Sequence, residues 1–510
     1  MEVKRSLVSH TVWLFISWIS SIILNFLFQL LAAKTLLPDQ LGILAIAFNF
    51  ASMVSALLIF GMENTIQRLT AYYLGKNQLE YLKSVLFFTL ILTTIFNIVS
   101  ILGIFLFSNE IAAFIKIPQN VLFFSIAMLL PISMSFFLAG ILRGYQKIKY
   151  LAISAMLGDS IKFLTAGVLA FFGFKIFGFL IGYLVGSISI FLLRMGTLKL
   201  FVTKFKIPDL KSLREHAVPS FITQLFWMML FNGQYLIVSI LQSPYATGLF
   251  AVGMILSTQI YFIPRILSDA LFPISSRLSA KKELVKQQSF LLNIALRYSL
   301  LIALPILFFV SIFPRKLIYL IGRAEFFPAS NIVPILITAA LFFGIGTLLS
   351  RTLYAIGRMK TFQNIAVVST AFYIITSVTL THYFSILGTA LAYLMSTLLM
   401  VGISLYYLKK YINFKIDFPY VVKILLSAFI VYGILYLTSF FIPNLIIGGI
   451  LSVIFTLSHF VILYFLKFYN ENDIKTIDVL SEKFPKSSKY LKEVKKLLLK
   501  KINTKNNENK

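Results

Sequence analysis

Runs of about twenty consecutive apolar residues, repeated from one end of the chain to the other, constrain this sequence more than any other feature. A helix needs roughly 20 mostly apolar residues to cross the ~30 Å hydrocarbon layer. By that measure spans fall at 12–33, 41–62, 84–107, 121–141, 151–172, 176–195, 219–241, 248–268, 290–312, 332–350, 362–381, 385–408, 421–440 and 445–466. Strands of a membrane barrel are about ten residues long and alternate in polarity, whereas these runs are continuous and longer. The predicted fold class is therefore an all-α polytopic membrane protein with about 14 transmembrane helices. The separators at 173–175, 382–384 and 441–444 are short enough that the count depends on them.

Composition agrees. Of 510 residues, 59% are hydrophobic and only 13% are Asp, Glu, Lys or Arg, against about a quarter charged in soluble domains. A soluble enzyme fold and intrinsic disorder are both excluded on this ground. The chain has no cysteine, so disulfides, thiolate metal sites and a Cys nucleophile are excluded as well. The apolar run starting at Val12 is longer than a signal-peptide core and has no clean small-residue cleavage site. It is expected to be retained as the first helix.

The net charge of +28 would suggest nucleic acid in a soluble chain. Here its distribution describes topology, because Lys and Arg accumulate in cytoplasmic loops. Of the 46 basic residues, 38 lie in or at the edges of connections on one side of the predicted spans, and 6 on the other. Both termini are thus expected in the cytoplasm, in a multi-pass cell-membrane protein with no nucleic-acid partner. The basic connection 196–218 separates a six-helix unit at 1–195 from another at 219–408. Two additional helices at 409–466 and a basic cytoplasmic tail at 467–510 follow. Within the tail, Ser487 to Lys501 has the pattern of an amphipathic helix lying on anionic lipid.

The two six-helix units repeat at an offset near 206–211 residues. Leu37-Pro38-Asp39-Gln40-Leu41-Gly42 precedes the second span, and Ser243-Pro244-Tyr245-Ala246-Thr247-Gly248 precedes the eighth. Leu142-Arg143-Gly144-Tyr145 follows the fourth span, and Leu353-Tyr354-Ala355-Ile356-Gly357-Arg358 follows the tenth. An even number of spans per unit gives both the same orientation, the parallel repeat expected of two lobes related by an axis along the membrane normal.

With these segments, and with Gly248-Leu249-Phe250-Ala251-Val252-Gly253 and Leu271-Phe272-Pro273-Ile274-Ser275-Ser276-Arg277-Leu278, the sequence resembles the polysaccharide flippase family. That family includes O-antigen flippases, within the multidrug/oligosaccharidyl-lipid/polysaccharide exporter superfamily. The resemblance runs over roughly residues 5–465. Where family members usually carry an Arg at the first outward loop this chain has Lys34, which keeps the charge but loses the planar fork. The resemblance implies a two-lobed alternating-access transporter, working as a monomeric unit. It would move a lipid-linked oligosaccharide on a polyprenyl or dolichyl phosphate or diphosphate from the inner to the outer leaflet, for cell-surface glycan synthesis. Glycan-assembly enzymes would be its partners.

Polar residues inside the spans are the candidate cargo contacts, since an intramembrane ionisable group is costly. Asp159 and Lys162 lie three apart in the fifth span, on one helix face, and serve either as a local ion pair or as a cavity and coupling-ion element. Ser17, Ser21, Asn25 and Gln29 form a stripe in the first span, and Thr89, Thr93 and Asn97 one in the third. Such stripes either glue helices together or face a glycan. Gln224, Asn232 and Gln234 are the looser counterpart in the seventh span. Lys162 and Arg297 are the expected phosphate contacts, and Asn25, Gln29 and Asn97 the sugar contacts. Near the cytoplasmic ends, Glu63, Arg68, Arg143, Arg265, Asp269 and Arg351 are candidates for a gate or a phosphate encounter site.

His10, His216, His382 and His459 are scattered, and there is no phosphate-binding Gly-rich Lys-Ser/Thr loop. No catalytic residue, metal site or cofactor is expected. The process is that of a secondary transporter, with a proton or sodium as the possible coupling ion. Multidrug or cation efflux and a non-transporting membrane scaffold are the competing readings.

Overall fold

The computed structural model describes residues 2–197, 210–279, 285–439, 441, 445–466 and 468. Its described residues form seventeen α-helices: α1 (Glu2–Thr35), α2 (Pro38–Leu58), α3 (Met62–Gly75), α4 (Leu79–Leu106), α5 (Ser108–Ile115), α6 (Gln119–Gly144), α7 (Ile148–Phe171), α8 (Lys175–Gly196), α9 (Leu210–Leu241), α10 (Pro244–Ser257), α11 (Phe262–Ser279), α12 (Val285–Ile312), α13 (Pro314–Ile321), α14 (Val333–Ala355), α15 (Met359–Ile412), α16 (Phe418–Ser439) and α17 (Leu445–Phe465). Twelve helical segments among them are long and apolar enough to cross a membrane. The protein is an all-α polytopic membrane protein.

With the α1–α2 turn drawn uppermost, successive long helices alternate up and down. Prolines set several of the starts, because a first-turn residue needs no N–H partner. Pro38 opens α2, Pro314 opens α13, and Pro244 opens α10 behind Ser243, whose hydroxyl accepts from the Ala246 N–H at 3.2 Å. The single apolar run expected at 248–268 is instead two helices, α10 and α11, joined by a 3-10 turn at Thr258–Tyr261. Pro264, near the start of α11, cannot supply an N–H to continue the α10 ladder. In α15, Ser385 has left-handed φ (53°), and the two sides fold back on each other. Thr381 meets Thr389 at 2.7 Å, and the Ser396 hydroxyl donates to the Ser369 carbonyl at 2.7 Å. The three-residue separator at 382–384 is thus a real reversal.

Four short elements lie where the sequence suggested plain connections. The 63–83 segment contains α3, and α5, α13 and a 3-10 stretch at Ala324–Asn331 lie at the upper end. A twenty-residue apolar window is blind to such elements, since they are amphipathic and need only half their surface covered. The last part of the 196–218 connection is the start of α9, while 198–209 and the tail helix expected at Ser487 to Lys501 lie outside the described residues.

Lipid gives helices no hydrophobic reason to associate, so small residues and interhelical hydrogen bonds hold the bundle together. Gly182 of α8 sits against α7 so closely that a Cβ there would lie 2.8 Å from the Ala166 Cβ and 2.9 Å from the Lys162 carbonyl. Arg194, also on α8, donates to the Ser135 carbonyl (2.8 Å) and hydroxyl (2.7 Å) on α6 and to the Ser154 hydroxyl (3.2 Å) on α7. Gly182→Leu is expected to destabilise the bundle by about 1–3 kcal/mol through overpacking against backbone that cannot yield. Gly196→Leu, with nothing within 4 Å of the added Cβ, is expected to leave the detergent-solubilised melting temperature unchanged.

Candidate functional site

The polar stripe of α1 divides at its middle. Ser17 is buried and donates to the Ala152 carbonyl of α7 at 3.4 Å. Above it, Ser21, Asn25 and Gln29 line a cavity of about 460 Å³. Its walls are α1, α2 and Tyr183 of α8 on one side and α9, α10 and the start of α11 on the other. Asn232 of α9 lines the opposite wall, with its amide 3.2 Å from the Met228 sulfur. The remaining polar contributors are Asn49 and Ser52 of α2 and Thr258 and Gln259 of the 3-10 turn. Aromatic faces complete the lining: Phe48 stacks on Tyr183 at 4.3 Å, and Tyr235, Tyr261 and Phe231 face them from the other wall.

Lys162 reaches this cavity through Asn25. Its ammonium donates to the Asn25 side-chain carbonyl at 2.6 Å and to the Asp159 carboxylate at 2.7 Å, and lies 5.6 and 5.3 Å from the ring centres of Phe28 and Tyr183. Two polar partners and two ring faces offset the desolvation of a buried cation. Asp159 and Lys162 are both buried. The pair is therefore both an internal ion pair and the backing of a cavity-lining amide.

Asn97 belongs elsewhere. It donates to the Leu58 carbonyl of α2 (3.3 Å) and the Thr93 carbonyl (2.7 Å), and accepts from Ser133 of α6 at 2.5 Å. With Thr89 bonded back to the Val85 carbonyl at 2.8 Å, the α4 stripe joins α2, α4 and α6. Its residues are not among those lining the cavity.

Below the first cavity a second, of about 310 Å³, is lined by Glu63, Gln224, Trp227, Arg265, Arg351 and Tyr354 among others. Glu63 pairs with Arg143. Asp269 pairs with Arg351 and, at 3.3 Å, with Arg265, which also donates to the Tyr261 hydroxyl at 2.9 Å. Five of the six cytoplasmic-end candidates thus form two acid–arginine sets. They correspond at the offset of the sequence repeat, Glu63 and Arg143 to Asp269 and Arg351. Arg68 lies exposed on α3 outside both sets. The side-chain carbonyl of Gln224 in this cavity is buried without a partner among the described residues.

Arg297 is apart from both cavities. Its guanidinium donates to the Phe468 carbonyl at 3.1 Å and stacks 4.0 Å from the Phe468 ring and 4.5 Å from that of Tyr420. It joins α12 to the start of α16 and to the chain just beyond α17.

Residues 30–323 match a family described as polysaccharide biosynthesis protein. The chain belongs to that family. An uncharacterized membrane protein of Methanocaldococcus jannaschii is 22% identical over 502 residues, covering 94% of this chain and 99% of the relative. Among solved structures, the lipid II flippase MurJ in its inward closed conformation aligns with a TM-score of 0.70 at 20% identity, over 90% of this chain and 99% of that one. An inward-facing multidrug resistance MATE transporter of the MOP superfamily gives 0.62 at 15%, over 77% and 94%. The Vibrio cholerae MATE transporter VcmN gives 0.57 at 16%, over 81% and 99%. The fold of this polysaccharide biosynthesis family member is that of MOP-superfamily transporters, not that of a catalytic enzyme.

In this family member the sequence stripes gave Asn25, Gln29 and Asn232 but not the aromatic half of the cavity. Phe48, Tyr183, Tyr235 and Tyr261 are four of 79 aromatic residues (52 Phe, 24 Tyr, 3 Trp), and an aromatic residue facing a cavity has the same sequence signal as one facing lipid. Lys162→Met is expected to destabilise the protein by about 3–5 kcal/mol by isolating the Asp159 carboxylate. Lys162→Met with Asp159→Asn is expected to recover part of that loss. Thermal unfolding of both in detergent checks the coupling.

Proposed function

We propose that this protein is an alternating-access flippase that carries a lipid-linked oligosaccharide, on a polyprenyl or dolichyl phosphate or diphosphate, from the inner to the outer leaflet. In this reading the chain crosses fourteen times: α10 and α11 make one crossing, α15 makes two about Ser385, and α1 supplies the first. The lobes are residues 1–195 and 219–408, helices α16 and α17 are additions, and both termini are cytoplasmic, so the lower end of the bundle is the inner face. The strong bias of basic residues toward that end supports the orientation.

One observation carries the proposal: the cavity walled by α1, α2, α9 and α10 holds amides on both sides, Asn25 and Gln29 facing Asn232. Amides and aromatic faces suit a glycan, which presents hydroxyls at its edges and C–H groups on its faces. Family membership supports the same cargo class. The volume is in the range of ordinary small-molecule sites, so the cavity takes the head of the glycan, while the isoprenoid chain stays against apolar helices.

The phosphate is assigned to the lower cavity. Arg265 and Arg351 share a single carboxylate, Asp269, so the set carries a net positive charge that an anionic head can complete. Arginine is suited to this because its planar fork holds phosphate through two parallel hydrogen bonds. The Asp159–Lys162–Asn25 network is the proposed coupling element, since a proton or sodium ion taken up there would alter the hold on Asn25. Cation efflux is the weaker reading, because the buried carboxylate nearest the cavity is already neutralised by Lys162.

Reconstituted into liposomes with a labelled lipid-linked oligosaccharide, the protein is expected to move label between leaflets. Arg265→Gln with Arg351→Gln is expected to lower the initial rate about tenfold or more, the cost of charged hydrogen bonds lost to the cargo. Asn25→Ala with Asn232→Ala is expected to lower it several-fold. No movement by the unaltered protein under any imposed ion gradient, with organic-cation uptake in its place, overturns the proposal.

A further inference from the structure

We infer that α2 carries both seals of the transport path: a backbone contact at Gly42 that closes the upper end, and a left-handed corner at Phe60 and Gly61 that closes the lower end and opens first. The inference rests on the orientation and alternating access proposed above, but not on the identity of the cargo.

At the upper end, the two repeated sequence segments meet each other. A Cβ on Gly42 would fall inside the van der Waals shell of the Pro244 carbonyl and lie 2.8 Å from the Gly248 N. A Cβ on Gly248 would fall inside that of the Pro38 carbonyl and lie 3.1 Å from the Gly42 N. The contact is reciprocal, and each side is backbone in the first turns of a proline-started helix, which has no rotamer with which to yield. Two hydrogen bonds beside it fasten the same end. The Lys116 ammonium donates to the Gln242 carbonyl at 2.8 Å, and the Ser239 hydroxyl donates to the Ile115 carbonyl at 2.5 Å.

At the lower end the seal is built differently. The chain leaves α2 through Phe60 (φ 51°) and Gly61 (φ 68°), both left-handed. A Cβ on Gly61 would lie 2.5 Å from the Phe221 N and 2.6 Å from the Ala217 carbonyl of α9. Phe60 stacks on Phe221 with ring centres 4.9 Å apart and planes 17° from parallel. A left-handed Phe is strained, so this seal stores energy that its opening releases. The glycines of the upper seal are helical, and Lys116 beside it, although left-handed (φ 57°), is the C-cap of α5, where that conformation ordinarily ends a helix. Between the two, α2 spans roughly 30 Å at 1.5 Å per residue, the depth of the hydrocarbon layer, and its middle residues Leu44, Phe48 and Ser52 line the central cavity.

Because the chain has no cysteine, a single Ser52→Cys reports which side the cavity opens to. A membrane-impermeant maleimide is added to right-side-out and to inside-out vesicles containing the full-length protein. The reporter alone is expected to label faster from the inner side. Gly42→Ala and Gly248→Ala are each expected to raise the outer-side rate about fivefold or more and lower the inner-side rate, as population shift requires. Gly61→Ala is expected to do the reverse. Lys116→Ala and Phe221→Ala weaken the same two seals without any backbone clash, so they decide the matter if a glycine variant does not fold. Shifts of about twofold in the same opposite directions are expected from them. Gly103→Ala, with open space around the added Cβ, is the unchanged control. Rates that rise from both sides together, stay unchanged in Lys116→Ala and Phe221→Ala, or favour the outer side in the reporter alone overturn the inference. The readout needs no cargo, so a failed glycan assay with these shifts intact would reject the cargo and leave the seals standing.

Discussion

Hydrocarbon offers no hydrogen bonds, and the rest of this structure follows from that one deficit. A polar side chain in the bundle must be satisfied by another helix or face a space that admits water or cargo. The α4 stripe takes the first course, as Asn97 and Ser133 satisfy each other and the Leu58 carbonyl. The α1 stripe takes the second above Ser17, where Asn25, Gln29 and Asn232 line one cavity. Two stripes with the same spacing therefore do opposite work. What separates them is whether the facing element is a packed neighbour or a gap.

That distinction marks the limit of what can be read from the chain alone. Spans were legible because the twenty-residue requirement is set by bilayer thickness and not by neighbours. The reversal at Ser385 was legible for the same reason, as the short separator at 382–384. Whether Arg297 met a phosphate or a cage of Tyr420 and Phe468 was not, because the partner lies more than a hundred residues away. Nor were the cavity aromatics, since apolar surface costs nothing in lipid and so carries no mark of its use. The short helices α3, α5 and α13 fell between: amphipathic in pattern, but below the length at which a membrane filter responds.

Charge around the two cavities is handled in two distinct ways. Deep in the bundle, Lys162 is matched by Asp159 and an amide, so the charge is cancelled where the desolvation cost is highest. Nearer the lower end, two arginines share Asp269 and a further acid–arginine pair stands across the cavity from them. Residual positive charge is thus kept at the end where solvent and headgroups lessen its cost. An anionic cargo entering there would meet its strongest attraction first and a neutral, amide- and aromatic-lined chamber second. A cationic cargo would meet the opposite order, repelled at entry and offered only a carboxylate that is already engaged.

The same order bears on release. A site that held phosphate by direct contact with an uncompensated cation in the middle of the bundle would bind tightly and let go slowly, because the attraction between charges is strongest in low-dielectric surroundings. Here the buried cation beside the cavity acts through Asn25, whose side-chain carbonyl accepts from Lys162 while its amide donates to the Ser21 carbonyl at 2.7 Å. The electrostatic influence on the cavity is passed on by a dipole and not by a bare charge. Weak, distributed contacts of that kind hold a hydroxyl-rich head without trapping it, which a carrier needs more than affinity. Binding that is equal at both faces can be exchanged between them by a change in the seals alone.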